Sequence, residues 1–505
     1  MADSHPAVSQ HPLYRAEQVR ELDRRTIAGG IAGFALMQRA SAAAWQCLRE
    51  RWPDVRSLTV LCGAGNNGGD GHVLAALAAG EGLVVQRVLL KGIEELAGDA
   101  RRAADMATAA GVGARPWRAG MRLEGELLVD AMLGTGLAGE VRGIYREAIA
   151  AVNASARPVL AIDIPSGLHA DSGAVLGAAV RAAATVTFIG DKLGLYTGAA
   201  ADHAGEVLFR DLGVDARAEV DLVPPAQLLD ESPLTARLPA RRRGAHKGDC
   251  GHALILGGAP GFGGAALLAA EACARLGAGK VSLATVPEHV TASLVRRPEV
   301  MVHGVRGAAD LGALPTLADV LVVGPGLGQG SWGQGVLQAA LDAGRPLVVD
   351  ADGLNLLAAR YPGTRRDDWI LTPHPGEAAR LLGCSAAEVE ADRPAAARAL
   401  HERWGGVIIL KGAGSLVVGP GGMAVCPFGN PGMASGGMGD ALSGMLGALL
   451  AQGLPLEMAA RLGVLVHARA ADFAAADAGE RGLLAGDLAS YARILVNPTG
   501  LDGDV

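Results

Sequence analysis

The chain has 505 residues, half of them apolar and 19% charged, with a formal net charge of −7. At roughly 150 residues per domain this is too long for one ordinary core and suggests two or three domains. The acidic balance, with no basic run beyond Arg241, Arg242 and Arg243, excludes a general nucleic-acid binder.

Six scattered cysteines with no CxxC pair read as reduced thiols of a cytoplasmic protein. Met1 to His11 carries no apolar stretch of a signal peptide, and no uncharged apolar run reaches the roughly 18 residues of a membrane span. Neither nucleic acid nor membrane is expected as a partner. Only Lys91, Lys192, Lys247, Lys280 and Lys411 are lysines, so 45 − 5 = 40 basic residues are arginine. In such a chain a retained lysine is expected where a compact ammonium is needed.

Apolar spacing through Val19 and Leu22, then through Leu36, Met37, Ala40, Ala44 and Leu48, predicts two opening helices. Short β-rich runs follow, alternating with helical stretches: Leu58 to Cys62, Val84 to Leu90, Leu127 to Met132, Val159 to Ile164 and Thr185 to Ile189. The alternation implies a parallel sheet covered on both faces, a Rossmann-like α/β/α sandwich. Around Asp221 to Arg243, with Pro224, Pro225, Pro233 and Pro239, the pattern lapses into a connector. Strands then resume at His252 to Leu256, Val281 to Val286, Val320 to Val323, Leu347 to Val349, Ile370 to Thr372, Val407 to Leu410 and Leu416 to Val418. Helices are expected over Gly264 to Leu276, Ala441 to Gln452 and about Leu456 to Ala475. The fold class is α/β, two doubly wound domains over 1–220 and 244–505 joined by a linker over 221–243.

In the first half, Gly63-Ala64-Gly65-Asn66-Asn67-Gly68-Gly69-Asp70-Gly71 follows a strand and leads into a helix. That geometry offers backbone N–H groups to a phosphate, although the loop lacks the usual dinucleotide spacing. Ligands of an open parallel sheet sit beyond the carboxyl ends of its strands, so Asn67, Asp130 and Ser166 should converge on one crevice. One carboxylate with neutral oxygens suits a hard cation of low charge. Together with Gly134-Thr135-Gly136-Leu137-Ala138-Gly139-Glu140 and Asp163-Ile164-Pro165-Ser166-Gly167, these segments resemble the NAD(P)H-hydrate epimerase family from about Arg15 to Val214. The resemblance implies that Asn66, Asn67, Gly68, Gly69 and Asp70, the run Gly134 to Glu140, and Asp163 bind the hydrated nucleotide. It also implies that Asn67, Asp130 and Ser166 hold a potassium ion. Asp163 and Lys192 are the candidate proton-transfer groups, because inverting the hydrated ring carbon needs an acid or base beside it.

In the second half, Asn430-Pro431-Gly432-Met433-Ala434-Ser435-Gly436-Gly437-Met438-Gly439-Asp440 precedes a long helix. Glycines around an aspartate at a helix start suit phosphoryl transfer to a hydroxyl, the carboxylate taking the hydroxyl proton while amides hold the phosphate. Lys411-Gly412-Ala413-Gly414-Ser415 makes a second turn, read as a nucleotide site. His374, in Thr372-Pro373-His374-Pro375-Gly376-Glu377, lies at another strand end, and Asp350-Ala351-Asp352 and Gly324-Pro325-Gly326 complete the rim.

With Lys247-Gly248 and Gly263-Gly264-Ala265-Ala266, this set resembles the ADP-dependent NAD(P)H-hydrate dehydratase family, whose fold is ribokinase-like, from roughly Lys247 to Val496. The resemblance implies that Lys411, Gly412, Ala413, Gly414, Ser415 and Gly439 bind ADP, and that Ala265, Gly326, His374 and Asp440 contact the hydrated substrate. Asp440 would be the catalytic base, with Mg2+ accompanying ADP. The expected partners are therefore small molecules, NADHX or NADPHX and ADP. A homo-oligomer is also expected, from Gly- and Ala-rich helices that suit close packing between subunits as well as within one. Two rival readings are a small-molecule kinase in the second half and a non-catalytic binding module in the first.

Overall fold

A computed structural model describes residues 11–214, 221–230, 238 and 240–497. The polar segment up to Gln10, and Pro233 and Pro239 of the expected connector, lie outside the described residues. The chain divides into two compact units, Pro12–Ala226 and the residues from Gln227 onward.

The first unit is built on β1 (His11–Tyr14), β2 (Ser57–Cys62), β3 (Val84–Leu89), β4 (Ala114–Pro116), β5 (Leu127–Ala131), β6 (Val159–Ile162), β7 (Ala184–Phe188), β8 (Asp191–Lys192) and β9 (Glu206–Arg210). Seven of these form a sheet in the order β4-β3-β2-β5-β6-β7-β9, every pair parallel. Alternate residues of its central strands enter two different cores. Leu58, Val60, Leu127 and Val129 pack with Leu48 and Leu74, while Leu61 and Leu128 pack with Ile149 and Val152. Helices Gly33–Arg51 and Asn66–Gly80 thus cover one face and Gly143–Ala154 the other, the arrangement that apolar parallel strands require. β1 and β8 are paired in parallel, Leu13 opposite Asp191 and Tyr14 opposite Lys192.

The second unit contains β10 (Ala226–Leu228), β11 (His252–Leu256), β12 (Lys280–Thr285), β13 (Met301–Gly304), β14 (Val320–Val323), β15 (Leu347–Val349), β16 (Trp369–Leu371), β17 (Val407–Leu410), β18 (Ser415–Gly419) and β19 (Gly422–Cys426). Its order is β13-β12-β11-β14-β15-β16-β17-β18-β19-β10. Pairing is parallel as far as β17 and antiparallel through β17-β18-β19. Helices Gly263–Arg275, Met438–Ala451 and Leu456–Ala478 bury their small apolar residues against one face.

The strand at Ala226–Leu228 corrects the expectation of a plain connector over 221–243: Gln227 and Leu228 pair with Ala424 and Val425 of β19. Three residues are too few to show a period, and Pro224 and Pro225 just before them read as linker. Among the described residues no helix is long and apolar enough to cross a membrane.

Candidate functional site

In the first unit, β2, β5 and β6 are parallel neighbours, so the segments that follow them open on one side of the sheet. The segment from Asn66 to Asp70 is not a loop. The helix begins at Asn66, with Gly65 as its N-cap, so these residues form its first turn. Asn66 is exposed, while Gly68 and Gly69 are buried.

Asp130 is fully buried and accepts hydrogen bonds from the Ser166 N–H (2.7 Å), the Ser166 hydroxyl (2.6 Å) and the Met132 N–H (3.2 Å). Burial nevertheless pushes its carboxyl up to about 6, against the lowering by the Ser166 bonds. The Leu133 N–H donates to Ser166 Oγ at 2.8 Å, which fixes the loop leading into Gly134. A Cβ on Gly134 would lie 3.2 Å from Asn67 Cβ and 3.6 Å from Asp163 Oδ2, so those three residues adjoin. Both amide atoms of Asn67 are buried without a hydrogen-bond partner among the described residues. Thr135 and Leu137 are half-buried, whereas Gly136, Ala138, Gly139 and Glu140 run outward into solvent.

Lys192 is wholly buried, and its ammonium pairs with Asp163 at 2.7 Å. It also donates to Thr187 Oγ1 (2.7 Å) and to the carbonyls of Gly190 (3.2 Å) and Phe188 (3.4 Å). Asp163 has φ +70, in the left-handed region; such a backbone costs of order 1–3 kcal/mol and persists where surroundings hold it.

Two further carboxyls border this pair. Burial, then the charge of Asp163, pushes Asp23 up to about 6 and Asp70 well above the ordinary range. Sequence reasoning missed Asp23, and the usable signal was its position four residues after buried Val19, on the inward side of helix Ala16–Ala28.

In the second unit the sites gather around Lys411, at the end of β17. Its ammonium lies 2.6 Å from Asp350 and 3.8 Å from Glu377. Asp350 also accepts from the hydroxyls of Thr372 (2.8 Å) and Ser443 (2.7 Å). Burial alone would raise the Asp350 carboxyl, but the charge and hydrogen bond of Lys411 and the two hydroxyls hold it below its ordinary range.

The helix Met438–Ala451 begins after Gly437, so Asp440 stands in its first turn rather than capping it. A Cβ on Gly439 would sit 3.2 Å from Lys411 Nζ and 3.5 Å from Asp350 Oδ2, so this helix start adjoins the pair. Burial, then the charge of Asp350, pushes the Asp440 carboxyl up to about 7; Lys411 opposes the shift and Glu377 adds to it.

His374 caps the helix Pro375–Leu382, with Nδ1 accepting from the Gly376 N–H (3.0 Å) and Nε2 3.4 Å from Glu377. A Cβ on Gly326 would lie 3.2 Å from Ala265 Cβ, so those two adjoin. Asp352 accepts from the Gly328 N–H at 3.0 Å. Gly412 to Ser415 form the turn from β17 to β18.

Residues 253–493 match the family described as NAD(P)H-hydrate dehydratase, and residues 33–194 match the YjeF-related protein N-terminus. A bifunctional NAD(P)H-hydrate repair enzyme of Coxiella burnetii is 49% identical, over 96% of this chain and 99% of its own. The chain belongs to the bifunctional NAD(P)H-hydrate repair enzyme family. The repair enzyme of Escherichia coli is 42% identical, over 99% of this chain and 96% of its own. Among solved structures, a hypothetical protein of Streptococcus mutans is 28% identical with a TM-score of 0.50, over 54% of this chain and 100% of its own. The chain is thus an enzyme that joins an NAD(P)H-hydrate epimerase half to an NAD(P)H-hydrate dehydratase half.

Proposed function

We propose that the first unit interconverts the two epimers of hydrated NADH and NADPH at the crevice of Asn67, Gly134 and Asp163, with Asp163 and Lys192 as its proton-transfer pair. The 2.7 Å contact between them carries this reading: a wholly buried ammonium and a carboxylate with 18% of its side chain exposed can exchange roles as acid and base beside a ring hydroxyl. The first helical turn at Asn66 to Asp70 and the loop Gly134 to Glu140 bind the nucleotide. Asn67, Asp130 and Ser166 fit a potassium ion, because among the described residues the Asn67 amide is buried without a partner and no cation lowers the Asp130 carboxyl. Bound there, the ion would supply positive charge to Asp130 and to a substrate oxygen.

In the second unit Lys411 to Ser415 and Gly439 bind ADP, and Ala265, Gly326, His374 and Asp440 face the hydrated ring. Asp440 takes the proton of the ring hydroxyl while that oxygen attacks the terminal phosphorus of ADP and AMP leaves. The ring nitrogen lone pair then expels phosphate, and loss of a proton from the adjacent ring carbon restores the dihydronicotinamide. A carboxyl pushed up to about 7 is matched to accepting a proton near neutral pH.

Among the described residues no three His, Cys, Asp or Glu side chains converge as metal ligands. Asp350, Glu377 and Asp440 nonetheless outnumber Lys411, a surplus that fits a magnesium ion held by Glu377 and completed by nucleotide phosphates. Such an ion would offset phosphate charge.

The test incubates the protein with the S-epimer and ADP. Wild type should give AMP, phosphate and NAD(P)H in equal amounts, and Asp440→Asn should give none. A phosphorylated small molecule that accumulates instead would favour a kinase and overturn the reading.

A further inference from the structure

Arg393 opens the helix Arg393–Trp404, where the helix dipole disfavours a cation, yet its side chain is 2% exposed. Burial pushes the guanidinium pKa down. Glu390, 3.3 Å away, is itself half exposed and compensates little of this. The guanidinium reaches the nucleotide turn: Nη2 donates to the carbonyls of Lys411 (3.1 Å) and Leu410 (3.4 Å). Gly412, at φ +140, lies so close that a Cβ there would meet Nη2 at 2.8 Å.

Two other anchors hold the same turn. The Lys411 N–H donates to the Pro373 carbonyl at 2.9 Å, and the Ser415 hydroxyl donates to the Gly412 carbonyl at 2.9 Å. The carbonyl dipoles of Leu410, Lys411 and Gly412 are therefore tied down, while no acceptor is found among the described residues for the N–H groups of Gly412, Ala413 and Gly414. Successive free N–H groups with carbonyls turned away are what an anion needs.

We infer that Arg393 is a positioning residue for the nucleotide: it does not touch ADP but holds the Lys411–Ser415 turn with its carbonyls averted and its amides free. This rests on the reading of that turn as the nucleotide site. Both bonds come from Nη2, which the planar guanidinium holds between the two carbonyls; a lysine ammonium keeps the charge but not that fixed plane.

The test measures dehydratase kinetics in Arg393→Lys and Arg393→Ala, with ADP varied and the S-epimer saturating. KM for ADP should rise about tenfold in the lysine variant and more in the alanine variant, with kcat within about twofold. Epimerase activity should not change. If the alanine variant does not fold, the lysine variant carries the test. Unchanged KM with a lowered melting temperature, or a fall in kcat alone, would overturn the inference. Ala413→Glu separates it from its premise. A carboxylate in the turn should weaken ADP, and if it does not, the nucleotide reading falls and the inference with it. If Ala413→Glu weakens ADP while the Arg393 variants do not, the inference alone is lost.

Discussion

Asp163→Asn probes both the fold and the epimerase chemistry. It keeps the shape of the side chain but strips the counter-charge from Lys192, which is 0% exposed. The remaining acceptors, Thr187 Oγ1 and the carbonyls of Gly190 and Phe188, are neutral. Removing one partner of a buried pair costs about 3–5 kcal/mol, because the surviving charge stays out of water. In a unit of this size each kcal/mol lowers the melting temperature by about 2–4 °C, so the first unit should melt about 6–20 °C lower. Lys192→Met in the same background removes the stranded charge and should recover most of that loss, while neither variant epimerises the hydrate. The assay follows residual dehydratase activity and far-ultraviolet ellipticity on heating, which separates the melting of the two units. An Asp163→Asn protein within about 1 kcal/mol of wild type would mean that Lys192 is not sealed with its partner as the structure has it.

Three further outcomes follow from the charge environments. Because the Asp440 carboxyl is pushed up to about 7, dehydratase kcat/KM should rise with pH through that value with a slope of one, and Asp350→Asn should move the limb to lower pH. For Asp130, a folded value of about 6 lies above its ordinary 3.8. Its neutral form is therefore the favoured one in the fold, and stability present below pH 3.8 is lost as pH rises through 6. Potassium should accordingly raise the melting temperature of the first unit above pH 6 and have little effect at pH 5; equal stabilisation at both would remove the ion from Asp130. Ser166→Ala deletes a 2.6 Å bond to that buried carboxyl and should destabilise the unit by about 1.5–3 kcal/mol in urea titration.

Much of both candidate sites was legible because the proposed residues sit at strand ends or a helix start. Asp130, Asp163, Lys411 and Asp440 each follow a clear apolar run or precede a long apolar helix, and glycines beside them break the period. Among the strands that went unread, Ala114–Pro116, Glu206–Arg210, Ala226–Leu228 and Met301–Gly304 have too few inward residues to show a period, while Gly422–Cys426 is buried at four of its five residues and follows a glycine turn so closely that it merges with the strand before it. The β1–β8 pair joins Leu13 to Asp191, a contact that no local pattern encodes. Asp23 and Arg393 were hidden for a different reason. An aspartate in a charged amphipathic helix, and an arginine just after Asp392, both read as solvated surface until tertiary packing buries them beside a site.

The most direct test of the account is the recovery of dihydronicotinamide absorbance from an equal mixture of both hydrate epimers, with ADP and magnesium and the full chain as sole catalyst. Complete recovery at a rate set by the enzyme, reduced to half by Asp163→Asn and abolished by Asp440→Asn, is the predicted result. Recovery that stalls at half in the wild type, or that needs no nucleotide, would contradict it.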